Sequence, residues 1–139
     1  MTIKVNIKQL GKKRSRIAEV PFVLENAPST VRELIKEAVH TCVSEYNDRV
    51  KKGEDAAPIS AEEISEMSEI GKIAFGINYG GKTANEGTAL ENALQSYEDG
   101  LYRIFIGENE TGALSESISL SENDSITFIR LTMLTGRLW

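Results

Sequence analysis

The residues 76–83, Gly-Ile-Asn-Tyr-Gly-Gly-Lys-Thr, fit G-x-x-x-x-G-K-[ST], the spacing of a phosphate-binding loop. In that chemistry backbone N–H groups from Gly76 to Gly81 cradle phosphate oxygens, Lys82 reaches the outer phosphates and Thr83 holds Mg²⁺. The pattern has meaning between a strand and a helix that starts at the Lys-Thr pair. Lys72 to Phe75 supplies a candidate strand, but Gly87 interrupts where the helix would run. The capping pair Thr88 and Glu91 places the helix start later. No apolar strand ending in Asp follows to give a second metal ligand, and the chain is short for the larger parallel sheet such folds use. Nucleotide binding at Gly76, Gly81, Lys82 and Thr83 is kept as an alternative; no cofactor is expected.

His40 and Cys42 are the only histidine and the only cysteine. Residues two apart on a helix point about 200° away from each other, so these two do not face one another as a base and nucleophile would. Cys42 falls on an apolar helical stripe and reads as a small core residue. His40 falls off that stripe, at the surface or its boundary. Glu62, Glu63, Glu66 and Glu69, like Glu108 and Glu110, read as solvated helix faces and turns. Neither a catalytic constellation nor a metal site is expected, and a lone cysteine excludes an internal disulfide or an Fe–S cluster held by thiolates. Trp139, the one tryptophan, has two readings. It docks on the flank of the fold, or it anchors a partner, as tryptophan often does at interfaces.

The 139 residues carry 16 Lys plus Arg against 21 Asp plus Glu, a net charge of -5. The longest basic run is Lys12-Lys13-Arg14, too little for phosphate-backbone binding, so no nucleic-acid partner is expected. With 40% apolar and 27% charged residues the composition is that of one globular domain spanning 1–139. The start of the chain lacks a signal-peptide core, and no apolar run reaches membrane-span length. Neither a membrane association nor export is expected, which makes the cytoplasm the expected compartment.

Several elements can be placed. Ile3, Val5 and Ile7 alternate with polar residues, the period of a half-buried strand. After a turn at Leu10-Gly11-Lys12-Lys13, Arg16 to Leu24 returns, with Ala18, Val20, Phe22 and Leu24 on one face and Pro21 marking a sheet edge. Thr30 and Glu33 form a capping box for a helix reaching about Val50, with Val31, Leu34, Ile35, Ala38, Val39, Cys42, Val43 and Tyr46 in one stripe. Ser60 and Glu63 open a short helix that Gly71 ends. Thr88 and Glu91 open another, carrying Leu90, Ala93, Leu94 and Tyr97 inward and closed by Gly100. Leu101 to Ile106 reads as a strand, Ile118 to Leu120 as a short one. Ile126 to Leu134, apolar on both faces, belongs in the middle of a sheet.

This order resembles a ubiquitin-like β-grasp. Arg103-Ile104-Phe105-Ile106-Gly107 is similar to the ubiquitin strand that carries its apolar recognition patch. Leu114-Ser115-Glu116, Leu120 and Ser125-Ile126-Thr127-Phe128-Ile129-Arg130-Leu131 are similar to its closing half. The likeness covers residues 1–50 and 101–136. The chain departs from it by an insertion of about 51–100 holding two shorter helices, and by ending Leu134-Thr-Gly136-Arg-Leu-Trp139 without Gly-Gly. The resemblance implies an α+β fold whose mixed sheet packs on one long helix, with the last strand beside the first and parallel to it. It implies a non-enzymatic protein-interaction module whose recognition surface holds Tyr102, Ile104 and Ile106, with Trp139 nearby, and whose partner is a protein not identified by the sequence. The alternative it implies is a modifier or carrier processed to Gly136.

Overall fold

β1 (Thr2–Leu10) buries Ile3, Val5 and Ile7 and leaves Lys4 and Lys8 exposed, as its alternation requires. The computed structural model describes residues 1–10, 16–53, 66–77 and 85–131. The expected turn at Gly11-Lys12-Lys13, the capping pair Ser60 and Glu63, and Gly81, Lys82, Thr83, Gly136 and Trp139 lie outside the described residues.

β2 (Arg16–Val23) pairs antiparallel with β1. Val20, Phe22 and Leu24 are buried as expected, but Ala18 is exposed. The correction has a local cause. The register steps from Val5↔Val20 to Ile7↔Ile17, so β2 carries one residue more than β1 there. This is a bulge, with Glu19 at φ 56°, and it turns Ala18 out of the inner row. Asn6 Oδ1 accepts the Glu19 N–H at 2.9 Å, so the bulged donor is satisfied.

β3 (Tyr102–Ile106), β4 (Asn109–Glu110) and β5 (Ser125–Leu131) complete a mixed five-stranded sheet in the order β2-β1-β5-β3-β4. β5 lies parallel to β1, from Lys4↔Ser125 to Leu10↔Leu131, and antiparallel to β3. β2, with Pro21, is an edge, where the missing N–H leaves no ladder bond unmade. The doubly apolar β5 is central. The expected strand at Ile118 to Leu120 reduces to an isolated bridge between Thr30 and Ser117.

α1 (Val31–Gly53) runs three residues past its expected end. Thr30 Oγ1 accepts the Glu33 N–H at 3.2 Å, but the Glu33 carboxylate reaches back to the N–H and hydroxyl of Ser29, both at 3.0 Å. Those two donors hold the Glu33 carboxyl below the usual range. Thr30→Ala is expected to lower the unfolding free energy by about 1 kcal/mol in urea titration; an unchanged midpoint would show that the cap contributes nothing. Val31, Leu34, Ile35, Ala38, Val39, Cys42 and Val43 are all buried, so the predicted stripe is the helix's core face.

Lys72 to Phe75 is not a strand. It is the last part of α2 (Glu66–Phe75), which passes through Gly71 and ends at Gly76, φ 69°. Gly71 is buried inside the helix, so it marks close packing rather than a stop. α3 (Glu86–Glu98) begins earlier than Thr88. Asn85 is its cap, its Oδ1 accepting the Thr88 N–H at 2.8 Å, and Gly87 is accommodated in the first turn. Gly100 closes it as expected: at φ 75° its N–H bonds Tyr97 O, and Leu101 N–H bonds Ser96 O, both at 3.0 Å.

The helices cover the sheet face that carries Ile3, Val5, Phe22, Tyr102, Ile104 and Phe128, all in one buried cluster with the α1 stripe and Phe75 of α2. Among the described residues no helix is long and apolar enough to cross a membrane.

Candidate interaction surface

The three recognition residues predicted on β3 do not form a surface. Tyr102 is 1% exposed and Ile104 is fully buried, while Ile106 is half-buried at the margin of the same face. Their register explains it. Ile104 lies opposite Phe128 and Ile106 opposite Ile126, both core residues, so this row of β3 must point toward the helices. The Tyr102 hydroxyl donates to Ala93 O of α3 at 2.7 Å, and burial pushes its pKa up. Tyr102 and Ile104 position the strand and are closed to a partner, whereas Ile106 is only half-buried.

The outward row of β3 is Arg103 and Phe105. Phe105 lies opposite Thr127, which lies beside Asn6; Arg103 lies opposite Ile129, which lies beside Lys8. Two rows therefore cross the outer face, Asn6–Thr127–Phe105 and Lys8–Ile129–Arg103. Phe105 and Ile129 are both half-exposed and sit diagonally across the β3–β5 pair, within reach of large side chains. Arg103 Nε lies 3.8 Å from Glu110 Oε2, with the two side chains 55% and 45% exposed. Such a pair is worth roughly 0–1 kcal/mol, so the guanidinium is still available to a partner. Lys4 faces Glu19 at 3.9 Å on the same side. The face thus combines an apolar centre with Lys4, Lys8 and Arg103, and with Glu19 and Glu110 at its two margins, on a chain whose net charge is -5. Asn6 is held by Ser125, its Nδ2 donating to Ser125 Oγ at 3.0 Å, so the polar row is ordered by its own hydrogen bonds.

The remaining candidates are dispersed. Cys42 is buried on α1, where loss of water pushes its thiol pKa well up, away from the thiolate a nucleophile needs. His40 does not approach it as a base. Its Nδ1 lies 2.8 Å from Glu86 Oε1 of α3 and its Nε2 bonds Glu25 Oε2, in the segment after β2. Neither partner was legible in the sequence, because they lie 46 and 15 residues away with no spacing rule to connect them. Among the described residues no group of three or more His, Cys, Asp or Glu is arranged to hold a metal ion. Glu108 and Glu110 are exposed. Gly76 ends a helix, not a strand, and α3 starts at Glu86, not at Lys82. The strand–loop–helix setting that gives the phosphate-loop pattern its chemistry is therefore not formed. Neither a protein-family model, a curated protein nor a solved structure matches this chain.

Proposed function

We propose that the chain is a ubiquitin-like β-grasp protein that acts as a non-enzymatic interaction module, docking a protein segment on the outer face of its sheet. The fold reading is supported by the strand order β2-β1-β5-β3-β4, with β5 parallel to β1 and α1 following the first hairpin. α2 and α3 together stand where that fold needs a short connection, as the inserted part of the same chain.

The observation that carries the functional reading is the half-exposed Ile129, set between Lys8 and Arg103, with the half-exposed Phe105 diagonal to it between Thr127 and Glu110. An apolar side chain kept partly in water between two cations, with an aromatic ring diagonal to it, suits a segment bearing an apolar anchor flanked by acidic residues. The cations steer and orient such a segment, while burial of Phe105 and Ile129 supplies affinity.

The test is affinity capture with the wild type and with Phe105→Ser combined with Ile129→Glu, after confirming equal thermal stability. A partner anchored here loses about 2 kcal/mol or more, roughly 30-fold in affinity, and disappears from the variant's capture. Raised salt weakens the wild-type complex through Lys8 and Arg103. An identical set of partners on both proteins would rule the outer face out.

A further inference from the structure

His40 is the only histidine, and it stands where three parts of the fold meet: α1, the segment after β2, and the first turn of α3. Its two ring nitrogens face two different carboxylates, Glu86 Oε1 at 2.8 Å from Nδ1 and Glu25 Oε2 against Nε2. These are the charged groups that face the ring among the described residues. Glu37, one turn back on α1, is occupied elsewhere: it accepts from Asn26 N at 3.2 Å and Asn26 Nδ2 at 3.4 Å.

The geometry has a chemical requirement. A carboxylate at neutral pH only accepts hydrogen bonds, and a neutral imidazole has a single N–H to give. Both contacts can be made together only by the imidazolium, with Nδ1–H and Nε2–H both donating. When the ring loses a proton, one nitrogen turns its lone pair toward a carboxylate, and that contact becomes repulsive. The Glu25 side chain is 67% exposed and the Glu86 side chain 42%, so Glu25 regains water more readily. Glu86 also sits in the first turn of α3, where the helix dipole favours a negative charge.

We propose that His40 is a proton-operated clasp: with both nitrogens protonated it ties the segment after β2 and the start of α3 to α1, and deprotonation releases the Glu25 arm. The ring's affinity for its proton supports this, since the hydrogen bonds to Glu86 and then Glu25 raise its pKa from the ordinary 6.5, against a smaller lowering by burial. A pKa raised by folding means that the clasp's stabilisation is fully present below pH 6.5 and is lost as pH rises through the folded value. The clasp is closed below pH 6.5 and opens as pH rises through the folded value.

The sole imidazole makes the test direct. Its ring resonances are followed by NMR against pH in the wild type, Glu25→Gln, Glu86→Gln and His40→Gln, together with the backbone amides of Glu25, Asn26 and Gly87. In the wild type the ring midpoint lies above 6.5, the Glu25 and Asn26 amides shift with the same midpoint, and Gly87 moves less. Either glutamine variant lowers the midpoint, Glu86→Gln the more, and His40→Gln removes the shared transition from the amides. A wild-type midpoint at or below 6.5, or Glu25 and Asn26 amides that stay fixed as the ring titrates, overturns the clasp.

Discussion

Phe75→Ala is expected to remove about 3–5 kcal/mol of unfolding free energy, the largest loss of any single truncation outside the sheet. Phe75 is fully buried, and its ring meets Tyr102 edge-on at 5.7 Å and Phe128 at 5.2 Å. Tyr102 and Phe128 are themselves 6.3 Å apart in a similar edge arrangement. Three rings from α2, β3 and β5 therefore lock one another. Removing one deletes its buried area and two aromatic contacts worth about 0.5–1.5 kcal/mol each. The neighbours are held by their own strands and cannot close the space, so the void adds to the loss. Against a typical total of about 5–15 kcal/mol this is a large fraction. Urea denaturation with matched m-values measures it. The exposed Lys72 of the same helix is the control, with Lys72→Ala changing stability by less than about 0.5 kcal/mol. A loss below about 1 kcal/mol for Phe75→Ala would mean that α2 is an appendage rather than part of the core.

The second large effect tests which face of β3 looks outward. Ile104→Ala is expected to lower stability by about 2–5 kcal/mol, because Ile104 is fully buried opposite Phe128. Its neighbour Arg103 is 55% exposed and paired with Glu110 at 3.8 Å, so Arg103→Ala is expected to lose less than about 1 kcal/mol. For the proposed docking on the outer face the expected ranking is the opposite: Arg103→Ala weakens binding there. Ile104→Ala weakens it only to the extent that the protein unfolds. Comparable stability losses at the two positions would show that the assigned inward and outward rows are wrong.

The elements legible in the sequence share a cause. In β1, β5 and α1 the apolar period is long and uninterrupted, so burial and local geometry ask for the same thing. Ile3-Val5-Ile7 and the stripe from Val31 to Val43 lie where that period put them. Gly100 was legible because a glycine after the last apolar turn of a helix has one common use. The failures are equally local. Lys72 to Phe75 has no period long enough to separate strand from helix, and packing of Ala74 and Phe75 against the sheet decided it. Thr88 and Glu91 imitate a capping box, yet Asn85 is a cap of equal strength and adds a turn to α3. One bulge at Glu19 moved Ala18 to the other face, which no count of alternating residues can foresee.

The candidate surface shows the same division more sharply. Resemblance to a strand known for recognition points to Tyr102, Ile104 and Ile106, and Arg103 and Phe105 stand in the same five residues. A strand offers both rows equally until something covers one of them. The helices cover the row with Tyr102 and Ile104, and only that packing makes Phe105 and Arg103 the outward pair.

By itself the sequence determined the α+β class, the capped core helix, the central closing strand and its neighbours in kind. Those properties follow from periods and caps that act within a few residues. The tertiary structure alone decided which row of β3 faces water, that α2 gives Phe75 to the main core, and that His40 meets Glu25 and Glu86. Each of those is a meeting of residues far apart in the chain, governed by excluded volume and charge in three dimensions, and linear spacing carries no record of it.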